Sequence, residues 1–202
     1  MSETPWAELL KVWFGETLLD HESIADRMPW WFEANEQRDA RLASLFRPVS
    51  EQCATGSNYR WLENAEGRLA MIIALDQLPR NLYRGTPRAF ANDAYTAALA
   101  LSTAATGMDL ELRPIQRAFL YMPLQHFEDL QAQNRGVELY RVLAEDACDW
   151  PEFREGFLPF AELHRDIVAK FGRFPHRNAI LGRENTPEET DYLAGEAPSF
   201  GQ

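Results

Sequence analysis

The chain has 202 residues, 46% of them hydrophobic and 25% charged, a length suited to one domain with a substantial core. A net charge of −11 argues against nucleic acid or an anionic membrane as partner, and no apolar run approaches the roughly 18 residues of a membrane span. The start Met1-Ser2-Glu3-Thr4-Pro5 lacks the basic segment of a secretory signal, and Cys53 and Cys148 form no CxxC pair, so free thiols in the cytoplasm are expected.

Helical periodicity runs along the whole chain. Thr4 as cap, Pro5 at the first helical position and Gly15 past the end frame a first helix, whose Trp6, Leu9, Leu10 and Trp13 share a face. A short helix spans about Glu22 to Met28 and stops before Pro29. Another runs from Glu36 to Leu45 and stops before Pro48, followed by one from Val49 to Thr55 and a turn at Tyr59 to Asn64. Leu69, Ile72, Ile73 and Asp76 lie on one face of a helix from Ala65 to Leu78, ended by Pro79. Thr86-Pro87 opens a long alanine-rich helix to Thr106, closed by Gly107. Pro114 starts a helix through Tyr121, and Pro123 starts the next, through Glu145. Glu152 to Phe171 is helical with a kink at Pro159, and Thr186-Pro187-Glu188-Glu189 is a capping box opening a final helix. No segment alternates like a strand, which predicts an all-α domain over residues 1–202, of about nine helices in antiparallel pairs.

Three clusters carry candidate chemistry. Asp76 continues an apolar face, so its carboxylate needs a partner, and Arg80 stands four residues on; Asn81 and Arg84 follow within one turn. In Gln125-His126-Phe127-Glu128-Asp129, read as a helix start, His126 and Asp129 share a face at i, i+3 and suit proton transfer. The third is Arg173 to Arg183, with His164-Arg165-Asp166 before it. From Arg165 to Arg183 five Lys/Arg meet one Asp, a basic segment in an acidic chain. Arg173, Arg177 and Asn178 there present donors to phosphate or carboxylate, and His176 suits acid–base work near neutral pH. His164, one turn after Phe160, reads as a hydrogen-bonded core residue. For each cluster the alternative is that these polar groups only tie helices together. One His and one carboxylate make half a metal site, so no metal is assigned and no cofactor is named. There is no GxGxxG, Walker loop, HExxH or GxSxG.

The stretches Trp13-Phe14-Gly15, Trp31-Phe32, Ala74-Leu75-Asp76-Gln77, Arg80-Asn81, Arg84 to Ala91, Phe119 to Leu124, His126, Glu128-Asp129, His164 to Gly182-Arg183 and Thr186 to Glu189 resemble the bacterial and fungal domain-of-unknown-function family numbered nine-two-four. That resemblance implies a tetratricopeptide-like (TPR-like) helical fold and no established activity. Two positions depart from its pattern: Gln125 stands where an acid is common, and Arg38-Asp39 where Phe-Asp is common.

Two functions follow as expectations. One is a pocket lined by Arg and His for a small phosphate- or carboxylate-bearing molecule, with hydrolase-type acid–base chemistry the first guess if the protein is an enzyme. The other is a module whose concave surface clamps an acidic peptide. Neither sets the oligomeric state.

Overall fold

The computed structural model describes Thr4, residues 6–15 and residues 22–195, and every regular element among them is helical. Helices α1 (Ala7–Phe14), α2 (Glu22–Phe32) and α3 (Glu36–Ala54) lead through a 3₁₀ turn at Tyr59–Glu63 to α4 (Ala65–Ile72) and α5 (Leu78–Leu82). Then come α6 (Asp93–Ala105), α7 (Pro114–His126), α8 (Leu130–Asp146), α9 (Leu158–Phe171) and the short α10 (Asn178–Leu181) and α11 (Pro187–Ala194). Pro5, expected at the first helical position, lies outside the described residues.

The centre is occupied by two helices whose sequences are apolar nearly all round. α7 buries Ile115, Ala118, Phe119, Leu120, Tyr121, Met122 and Leu124, and the α4–α5 stretch buries residues 69–75 and Leu78. Such helices have no solvent face and must be wrapped by others. Consecutive helices do this pairwise: α6 on α7, α7 on α8, α8 on α9, with α3 across α5. The α1 and α2 aromatics close the other side. Phe14 and Trp31 meet the ring of Phe119 edge-on at centroid distances of 5.4 and 4.8 Å, the spacing at which ring quadrupoles attract. A smaller core of Ile167, Val168 and Phe174, flanked by Phe171 and Tyr192, fastens the C-terminal segment.

Prolines mark fewer boundaries than the sequence suggests. α2 runs through Pro29, α3 through Pro48 and α7 through Pro123. The α4 helix does not stop at Pro79 either. Ile73–Gln77 form a π-turn, in which the amide of Leu78 reaches back to the carbonyl of Ile73, and the chain re-enters α5. The same device, a π-turn at Phe153–Phe157, precedes Pro159. A π-turn widens the ladder by one residue, so the missing proline N–H falls where register is already shifted. It leaves the carbonyl of Ala74 without its in-helix donor, and the buried Ser50 hydroxyl on α3 fills that place at 2.8 Å.

Two other boundaries move. Thr86-Pro87 opens only a 3₁₀ turn, Pro87–Phe90, and α6 starts at Asp93. His126 is the last residue of α7, not part of the first turn of a new helix, and Asp129 caps α8 by accepting from the Ala132 amide at 2.8 Å. The capping box at Thr186 is present, with Thr186 Oγ1 accepting from the Glu189 amide and Glu189 Oε2 from the Thr186 amide.

α4 packs so closely under the 3₁₀ turn that a Cβ at Gly67 falls 2.1 Å from the carbonyl oxygen of Trp61. That contact is to backbone, which cannot rotate away. Gly67→Ala is expected to cost about 2 kcal/mol or more, read as a lowered melting temperature; an unchanged melt means the turn is free to shift.

Candidate active site

The π-turn turns Asp76 fully inward, where three side chains meet its carboxylate. His126 Nδ1, arriving from the end of α7, lies 2.9 Å from both oxygens. Gln77 Nε2 donates at 2.6 Å, and Arg80 stands 3.2 Å away at i+4 while also donating to the Asp76 carbonyl at 2.8 Å. Arg80 extends to Asp93 at the start of α6, both of whose oxygens it holds at 3.0 Å. Arg177 completes the set from the C-terminal segment, donating to Asp93 at 3.0 Å and to the His126 carbonyl at 2.9 Å. Its guanidinium lies 4.5 Å from the ring centroids of Phe90 and Phe174. Two guanidiniums and two carboxylates thus make an electrically balanced cluster around a histidine.

The electrostatics fix the proton positions. Burial alone lifts the Asp76 carboxyl, but Arg80 and His126 outweigh it and hold it down at about 2. Burial, followed by the Arg80 charge, pushes His126 below the ordinary histidine value despite Asp76. A neutral ring beside an ionised carboxylate carries its proton on Nδ1, facing Asp76. Nε2 is then a lone-pair acceptor. Among the described residues nothing hydrogen-bonds to it, and the side chain keeps 17% exposure.

Two further histidines stand nearby. The His164 ring is 6.2 Å from that of His126 and 5.6 Å from Phe174, and Phe174 is 5.5 Å from His176. Burial lowers His164 to about 3 and His176 to about 4. His164 also bonds the carbonyl of Phe160 at 2.7 Å, consistent with a core residue.

The structure therefore brings Arg80, His126 and Arg177 together through Asp76 and Asp93. The remaining residues singled out by sequence fall into neighbouring networks. Asn81 and Arg84 donate to Asp39 on α3 at 2.9 and 3.1 Å, the same carboxylate that Arg38 holds at 3.1 Å. Arg173 grips Glu189 with two bonds of 2.7 Å, and Asn178 joins the same carboxylate at 3.3 Å. Asp129 serves as the α8 cap described above. Glu128 receives the Phe174 amide at 2.8 Å and a fork from Arg183 at 2.6 and 2.9 Å. The three arginines at 173, 177 and 183 are each matched by a carboxylate from another part of the chain.

Sequence reasoning missed Asp93, Asp39 and Ser50 as members of these networks. Asp93 had a visible signal, being the only acid between Pro87 and Thr106 in an alanine-rich run. A surface cavity of about 950 Å³ lies between α1, α2 and α3 and is lined by none of the candidate site residues named from sequence. No group of three His, Cys, Asp or Glu among the described residues is arranged to hold a metal ion.

Comparison with known proteins places this helical fold in a family. A family model described as "Bacterial protein of unknown function (DUF924)" matches residues 9–197. The chain belongs to that family. A solved structure titled "Structure of Protein of Unknown Function ATU0120 from Agrobacterium tumefaciens" is 38% identical, with a TM-score of 0.72 over 86% of this chain and 96% of that one. Among curated proteins none matches.

Proposed function

We propose that the chain is a hydrolase-type acid–base enzyme for a small molecule, with His126 as the proton-transfer group and Asp76 as its positioning residue. The supporting observation is the dyad itself: a fully buried, ionised carboxylate on Nδ1 of a neutral imidazole whose Nε2 has no partner among the described residues. Nε2 takes a proton from water as the water oxygen adds to an acyl or phosphoryl centre. Asp76 stabilises the imidazolium formed in that step, and the proton then passes to the leaving group. Arg80 and Arg177 fix the dyad by sharing Asp93, which leaves their charge already committed.

The test is hydrolysis of 4-nitrophenyl acetate and 4-nitrophenyl phosphate by the full chain. His126→Gln is expected to reduce the rate about 100-fold or more while leaving the circular dichroism spectrum intact. The wild-type rate should rise with pH through an apparent value below 6.5, the ordinary histidine figure from which burial lowers His126. Equal rates in wild type and His126→Gln, or no hydrolysis of either ester above buffer, would overturn the reading.

A further inference from the structure

We infer that the cleft between α1, α2 and α3 is a binding site for a small organic polyanion carrying phosphate or carboxylate groups. The inference concerns residues apart from the Asp76–His126 dyad and stands whether or not that dyad turns over a substrate.

The cleft has a volume of about 950 Å³, at the upper end of the range for small-molecule sites. Among the described residues of its lining, Lys11 comes from α1, Arg27 and Trp30 from α2, Arg38 and Arg41 from α3, and the one acid is Glu8. Among these described residues cations outnumber acids, the reverse of the chain as a whole, whose net charge is −11. Field lines from one sign of charge concentrate in a concave, partly apolar site.

The arginines here differ from those around Asp76. Arg80 and Arg177 meet Asp76 and Asp93, and Arg117 meets Asp146. Arg27 meets no carboxylate among the described residues. Its NH2 group donates to the carbonyls of Val12 and Trp13 at the end of α1, its Nε is buried without an acceptor, and its guanidinium lies 4.0 Å over the Trp30 ring. Burial lowers its pKa from the usual guanidinium value, the sign of a cation held without its counter-charge. Arg41 is exposed and has neither ion pair nor hydrogen bond among the described residues. Arg38 donates to the Trp30 carbonyl and to Asp39, which locks its fork at the rim.

The backbone adds to the same end. α3 is 19 residues long and starts in this cleft, with Asn35 as its cap and Gln37 in its first turn. The helix therefore directs the positive end of its dipole, with unpaired amides, at the space between the arginines. Planar guanidiniums at fixed positions suit forked binding of phosphate or carboxylate, and the Trp30 ring forms an apolar wall beside them. A ligand with at least two anionic groups uses the separated cations on α2 and α3 together.

Isothermal titration of the full chain with pyrophosphate and, separately, citrate tests this, at ionic strength matched with sodium chloride. Saturable binding of at least one is expected. Arg41→Gln should weaken it about fivefold or more, equivalent to one exposed charge contact, with no change in melting temperature. Arg27→Gln should weaken it further, and the exposed Arg88→Gln should leave it unchanged. Stronger binding of pyrophosphate than citrate assigns phosphate, and the reverse assigns carboxylate. No saturable heat with either anion overturns the site, as does affinity unchanged in Arg41→Gln and Arg27→Gln or lowered equally by Arg88→Gln.

Discussion

Asp76→Ala is expected to destabilise the chain by about 3–5 kcal/mol, the range for removing one partner from a buried ion pair. The carboxylate is fully buried and receives His126, Gln77 and Arg80. Its loss leaves Gln77 and the His126 N–H without acceptors and leaves Asp93 as the one carboxylate on Arg80 among the described residues. For a chain of this size the melting temperature should fall by about 10 °C. Asp76→Asn keeps an acceptor and the volume but removes the charge, and should fall between alanine and wild type. Urea unfolding of all three measures the order. An alanine variant within 1 kcal/mol of wild type would mean that water enters and replaces the carboxylate, contrary to the packing seen.

The second large effect is acid sensitivity well above the carboxylate range. His164 is buried beside Phe174, His126, His176 and Arg177, and its pKa is lowered to about 3 against 6.5 in an exposed ring. The unfolded chain therefore binds the proton first as pH falls. Stability is fully present above about 6.5 and declines toward 3, the folded value. From pH 7 to pH 5 His164 alone should remove ~2 kcal/mol. His176, held at about 4, adds a smaller loss because part of its ring is exposed. Asp76, at about 2, contributes nothing to this window; its share is lost below its ordinary value of 3.8. Denaturant unfolding at the two pH values checks the sign. In His164→Gln the difference between them should shrink by about 2 kcal/mol, and an unaltered difference would assign the loss elsewhere.

The helical class could be read from sequence because it rests on local periodicity. So could the inward turn of Asp76, its tie to Arg80 at i+4 and the capping box at Thr186. The prolines misled for the opposite reason. A proline removes one bond locally, but the replacement comes from far away, as when Ser50 donates to Ala74 across 24 residues. Nothing near Pro79 announces that. The partners of Arg173, Arg177 and Arg183 were hidden in the same way. Their acids Glu189, Asp93 and Glu128 lie 16, 84 and 55 residues off.

Charge density along the sequence pointed to residues 165–183 as a place for a foreign anion. Folding supplies that segment with the chain's own carboxylates. The α1–α3 cleft escaped notice because Lys11, Arg27, Arg38 and Arg41 are scattered among acids in sequence and converge only when the three helices pack. Local charge counts find runs; only the fold shows which cations are matched.

The Asp93–Arg177 bond spans 84 residues and joins α6 to the C-terminal segment. Contacts between positions so far apart form late, since the loop between them must first be ordered. During synthesis the core helices α4 and α7 emerge well before Arg177, so Asp93 and Arg80 wait as a half-neutralised pair. A chain truncated near residue 170 should be cut by protease around Phe90, whose ring Arg177 covers at 4.5 Å in the full chain, and the full chain should be protected there.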